Sequence, residues 1–136
     1  SYISFEYAMS YYGLIPEAVY TVTSATFEKK KKKRYETPFG TFTYCDVPAE
    51  AFPLELILVQ EGDYFYRIAS PEKAVCDKLY TMSPTANIKE LYALLADDLR
   101  IDMDALKKLD QSKLAQLSGK YHSTNVKKLC SLIRRL

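Results

Sequence analysis

The sequence predicts an α+β domain: an N-terminal helix and a mainly antiparallel sheet, followed by a C-terminal helical half. Two observations carry that prediction. Up to residue 69 short β-branched and aromatic runs alternate with turn signals, and from Ser70 onward apolar residues recur at helical spacing. Strands first and helices later is the α+β pattern. The length, 136 residues with 48% hydrophobic and 26% charged side chains, suits a single domain over residues 1–136 with enough apolar material for a core.

In the first half, Ser4 is placed to cap a helix running to about Tyr12, with Gly13 as its stop and Pro16 just beyond. Val19 to Phe27 reads as a strand. An uninterrupted basic run follows, then the turn signal Thr37-Pro38-Phe39-Gly40 and a strand from Thr41 to Val47. Phe42 and Tyr44 fall on one face of that strand, and Thr41, Thr43 and Cys45 on the other. Leu54 to Gln60 and Tyr64 to Ala69 are two further strands around Glu61-Gly62-Asp63, a hairpin turn.

The stretch SPEKAVCDKLY, Ser70 to Tyr80, obeys every local helix rule but one. Ser70 suits an N-cap, Pro71 the first helical position, and Val75, Leu79 and Met82 form an apolar face. Lys73 is the exception, a cation in the first turn where the helix dipole favours anions. Asp77, one turn later on the same face, is placed to neutralise it, so a surface or groove ion pair is expected to hold this helix against the sheet.

The remaining helices carry their own start signals. Asn87 with Glu90 makes a capping box ahead of Ile88, Leu91, Tyr92, Leu95 and Leu99. Asp102 is placed as a cap, with Ile101 and Leu106 as a hydrophobic staple. Asp110 opens a helix that carries Leu114 and Leu117 and is expected to end at Gly119. The last helix starts near Ser123, with Val126, Leu129, Cys130, Ile133 and Leu136 predicted to face inward. Its opposite face gathers Lys127, Lys128, Ser131 and Arg135.

Composition narrows the chemistry. Nineteen basic and seventeen acidic residues leave a net charge of +2, so the charge is local rather than general. Lys29, Lys30, Lys31, Lys32, Lys33 and Arg34 form one basic cluster; Lys127, Lys128 and Arg135 form another. If they converge they attract a polyanion or an acidic protein face, with Tyr35 and Phe39 nearby. The bland alternative is that flexible lysines line an exposed edge strand and keep other chains from pairing with it. Cys45, Cys76 and Cys130 give neither a disulfide framework nor a CxxC pair, and His122 is the lone histidine, so neither a zinc site nor a histidine triad is expected. Buried or half-buried thiols of a reducing cytoplasm are the default. There is no P-loop, no GxSxG and no dinucleotide-binding glycine pattern, and no cofactor is implied. Glu28 and Lys30 fit a loose acid-x-lysine spacing of some metal nucleases, although a lysine tract produces that match by chance. No apolar run is long enough to span a bilayer, and nothing at the start resembles a signal peptide.

Several stretches resemble one family. SYISFEYAMSYYGLIPEAVYTVTS, TPFGTFTYCDV, RIASPEKAVCDKLY and LRIDMDALKKLD, with the closing basic helix, are similar to the C-terminal domain of AbiEi-type antitoxins, predicted transcriptional regulators of viral defence. The resemblance covers nearly the whole chain, and its motif residues are Gly13, Pro16, Gly40, Ser70, Pro71, Glu72, Lys73 and Asp77. It implies the antitoxin half of a bacterial type IV abortive-infection pair, cytoplasmic and non-enzymatic, opposing a nucleotidyltransferase-like toxin or its effect on a target, without need of a stable complex. It also implies a parent protein that represses its operon by binding DNA through an N-terminal winged helix-turn-helix. That part is absent from this chain, consistent with its start at Ser1, so the chain is expected to be a fragment. A stand-alone nucleic-acid-binding module and a metal-dependent nuclease are the alternatives.

Overall fold

The shortest strand organises the sheet. In a computed structural model, which describes residues 1–136, β1 (Tyr2–Ile3) pairs antiparallel with β2 (Val22–Thr26) and parallel with β6 (Tyr64–Ala69). β2 runs parallel to β4 (Gly40–Asp46), β4 antiparallel to β3 (Lys33–Thr37), and β6 antiparallel to β5 (Leu56–Glu61). The six strands lie in the order β3-β4-β2-β1-β6-β5, with three of the five pairings antiparallel. The α+β class holds, in a mixed sheet.

Both hairpin turns follow local chemistry. Thr37 pairs with Gly40 across Pro38-Phe39, and Glu61 pairs with Tyr64 across Gly62-Asp63. Gly62 has φ +60°, a positive φ that glycine supplies without strain in a tight hairpin turn. Two strands escape the hydrophobic pattern. β1 is two residues long, and β3 begins inside the lysine run, where no apolar alternation exists; pairing with β4 makes it a strand. The expected strand from Val19 is regular only from Val22.

α1 (Phe5–Tyr11) ends one residue early and stops as predicted. Gly13, φ +72°, donates to Ser10, and Leu14 donates to the Met9 carbonyl at 2.8 Å, the paired bonds of a Schellman motif. Ser4 is the N-cap by position, but its side chain makes no capping bond, because it is drawn into the interior described below.

α2 (Pro71–Tyr80) starts as expected, the Ser70 hydroxyl accepting from the Lys73 N–H at 3.1 Å. Met82 lies beyond its end. α2 lies between α1 and β6 on one side and the C-terminal helices on the other, so it is buried nearly all round rather than along one face.

α3 (Ile88–Ala93) is capped by Asn87, which accepts from Glu90 N–H at 2.8 Å; the Glu90 carboxylate reaches Ala86 rather than Asn87. The helix then widens into a π-turn over Leu94–Asp98, and Leu91 and Leu95 are buried while Tyr92 is exposed. α4 (Met103–Lys107) has Ile101 and Leu106 buried as a staple, but Asp102 makes no side-chain cap; its N–H is tied to the Leu14 carbonyl. α5 (Gln111–Tyr121) is capped by Asp110 and does not stop at Gly119. It runs on to Tyr121, whose hydroxyl is needed in the interior, and His122 takes the left-handed stop position at φ +51°. α6 (Thr124–Arg135) is capped by Ser123 and buries Val126, Leu129, Leu132 and Ile133; Leu136, expected inside, is exposed. Buried Asn125 ties α6 to the Ser83–Thr85 loop. One cluster of 27 buried apolar residues joins sheet and helices. No helix is long and apolar enough to cross a membrane.

Candidate functional site

The motif residues of α2 are interior. Lys73 and Asp77 are both fully removed from solvent, and no direct ion pair joins them, so the expected surface or groove pair does not form. Asp77 Oδ2 accepts from Tyr2 at 2.8 Å and from Ser4 at 2.6 Å, and Oδ1 accepts from Tyr121 at 2.5 Å. The Lys73 ammonium donates to the carbonyls of Ala51 and, at 3.5 Å, Phe52, between the rings of Tyr2 and Tyr121 at 5.2 and 5.9 Å.

The electrostatics follow from burial. Loss of solvent raises the Asp77 carboxyl, opposed by Lys73 and the three hydroxyl donors. Loss of solvent lowers the Lys73 ammonium, opposed by Asp77. The same burial, followed by the charge of Asp77, pushes the Tyr2 and Tyr121 phenols far above their ordinary range. Glu72 accepts from the Asp110 N–H at 3.0 Å and so fixes the start of α5. This set joins β1, α1, α2 and α5 in one buried hydrogen-bonded network.

The basic run occupies the opposite structural extreme. Every residue from Glu28 to Gly40 is exposed, and β3 is an edge strand. The run is nevertheless held. Asp46 accepts from the N–H groups of Lys29 at 2.9 Å and Lys30 at 2.7 Å, and from the Thr26 hydroxyl at 2.6 Å. This clamp sustains left-handed backbone at Glu28, φ +57°, and Lys30, φ +65°. Although burial opposes it, the bonds from Thr26, Lys30 and Lys29 hold the Asp46 carboxyl below its ordinary value.

The cations divide between two faces. Lys29, Lys31 and Lys33 line a groove with Thr26, Tyr35 and Tyr44, whose rings meet edge to face at 5.8 Å. Lys32 and Arg34 line a second cleft with α1 and α2. The α6 cluster is elsewhere. α6 packs on α2, α3 and α5, and neither groove includes any of its residues. Lys127 and Arg135 are exposed, whereas the Lys128 ammonium donates to the Thr85 carbonyl.

The other sequence-selected residues serve the backbone. Gly13 ends α1, Pro16 lies exposed in the turn after it, Gly40 closes the β3–β4 hairpin, and Ser70 and Pro71 start α2. Glu28 and Lys30 sit in the clamped loop, and no group of three or more His, Cys, Asp or Glu side chains gathers to hold a metal. Cys76 is buried and Cys45 and Cys130 half-buried, all as free thiols. Sequence reasoning missed Asp46, Glu6 and Lys78. Asp46 carried one usable signal, an acid at the end of a strand that pairs beside the basic run; the other two are set only by how α1 and α2 meet the sheet.

Comparison with protein-family models, with curated proteins and with solved structures found no match.

Proposed function

We propose that this chain is the antitoxin domain of a bacterial type IV abortive-infection system. It counteracts a nucleotidyltransferase-like toxin, within a parent protein that represses its operon through a winged helix-turn-helix. The reading rests on the resemblance of the YYGLIPE, TPFGTFTYCDV and ASPEKAVCDKLY stretches. One structural observation supports the mechanism: the groove of Lys29, Lys31 and Lys33 beside the Tyr35–Tyr44 ring pair. Interior motif residues specify a fold, so activity belongs on the surface, and this groove offers exposed cations on an edge strand whose entry is held by Asp46. An acidic face of the toxin or the phosphates of its target are the complementary partners.

Growth rescue tests it. Co-expression with the nucleotidyltransferase encoded beside the gene restores survival, and replacing Lys29, Lys31 and Lys33 together by Gln removes the rescue while the protein stays folded. Failure of the original chain to rescue, with both proteins soluble, counts against the reading.

Cations interleaved with aromatic rings on one face also favour a second reading, a nucleic-acid-binding module in its own right, since phosphate neutralisation and base stacking use that combination. It predicts affinity for single-stranded RNA or DNA that falls steeply with salt, in the absence of any toxin. Salt-independent affinity, or none, removes it.

A further inference from the structure

The second cleft lies on the other face of the same strands. Thr23 accepts from the Tyr7 N–H and donates to the Ser4 carbonyl, so its face of the sheet is the one that α1 covers. Thr43 pairs with Thr23 and Arg34 pairs with Thr43, which places Arg34 on that face too. Because α1 packs on β2 and α2 on β6, the outer strands β4 and β3 extend past the helices. Under the overhang lies a cleft of about 310 Å³.

Its walls are polar and positive. Lys32 and Arg34 come from the sheet edge and Lys78 from the last turn of α2, against one carboxylate, Glu6 of α1. Three cations, Lys32, Arg34 and Lys78, facing Glu6 leave two positive charges. Lys32 has no carboxylate partner, and Arg34 meets only Glu36, at 3.4 Å on the exposed strand. Lys78 is half-buried and paired with Glu6 at 2.6 Å, and both line the cleft. At the floor, Cys45 feels both walls: burial raises its thiol, while Lys32 and Lys78 draw it down and Asp46 and Glu6 push it up.

We propose that this cleft binds a di- or triphosphate group. Guanidinium and ammonium donors on facing walls suit several phosphate oxygens at once, and a low, partly enclosed position strengthens each bond. The volume is at the lower limit of small-molecule sites, about 300 to 1,000 Å³, which suits a compact anion. Ligand phosphate competes with Glu6 for Lys78. The assignment is independent of the antitoxin reading, which stands or falls on growth rescue.

Titration calorimetry with sodium triphosphate in about 150 mM salt tests it. The expected Kd is about 0.1 mM, and Arg34→Gln and Lys78→Gln each weaken binding about tenfold or more. Glu6→Gln tightens it. Lys127→Gln with Arg135→Gln, which together remove twice that charge from α6, leave it within about twofold. GTP binding at least as tightly identifies a nucleotide tail as the ligand; triphosphate binding without GTP binding identifies free polyphosphate, and either supports the site. No binding at about 1 mM probe, or equal weakening by the α6 pair, overturns it.

Discussion

Lys73 and Asp77 stand one turn apart on the same side of α2, both fully buried, and each bonds to a different set of partners. Asp77 gathers hydroxyls from β1, the start of α1 and the end of α5, while Lys73 gathers carbonyls from the segment before β5. Two opposite charges thus tie four parts of the chain to one helix without touching. Their mutual attraction limits the cost of burying either, and a lone buried charge is far more expensive than a compensated pair.

That relationship predicts non-additive mutations. Lys73→Met and Asp77→Asn each destabilise by about 3–5 kcal/mol, because each strands the other charge. The double variant costs less than the sum, with a coupling of about 1–3 kcal/mol in a denaturation cycle. Simple additivity would show that the two charges act independently.

Acid titration separates Asp77 from the surface carboxylates. Its native carboxyl is raised above the ordinary 3.8, so between those values the native state holds a proton the unfolded state has lost. Stability therefore falls as pH rises through that window. Asp46 and Asp110 are lowered below 3.8, so their contribution is lost only as pH falls beneath it. Denaturation followed as pH rises from the ordinary 3.8 is expected to show the Asp77 decline, and Asp77→Asn flattens it. Where that variant folds poorly, Tyr121→Phe removes one donor, raises Asp77 further and widens the same window.

Asp46 is the anchor of the basic run. Asp46→Ala frees the Lys29 and Lys30 N–H groups and releases the left-handed backbone at Glu28 and Lys30. Global stability drops by about 1 kcal/mol, while trypsin cleavage within residues 29–34 accelerates. Unchanged cleavage would mean that the run is already loose in the native protein.

His122 is predicted to cost stability. It holds φ +51° at the end of α5, and its pairing with Glu50, 3.8 Å away on the surface, returns little. His122→Gly is expected to stabilise by about 1 kcal/mol and raise the melting temperature, because glycine adopts that backbone without strain. A lower melting temperature would show that the imidazole contributes more than the strain takes away.

Much of the chain was legible because its signals are local. Ser70, Asn87, Asp110 and Ser123 each accept a bond from an N–H two or three residues on, and Gly13 and Gly62 adopt the left-handed backbone for which glycine is suited. Where local rules failed, a distant partner prevailed. Ser4 gave up its cap for Asp77, 73 residues away, and α5 ran through Gly119 to bring Tyr121 to the same carboxylate. Of the candidate surface, the lysine run was visible at once, but its division between two faces was not, since no apolar alternation marks β3.

By itself the sequence determined the fold class, most helix starts, the hairpin turns and the presence of two basic clusters, because caps, turns and side-chain periodicity act over a few residues. Tertiary structure alone decided the sheet order, the two-residue strand that joins β2 to β6, the interior position of Lys73 and Asp77, and the separation of the lysine run from the α6 stripe. Those depend on which elements pack together, and packing is decided by burying one shared core across the whole chain.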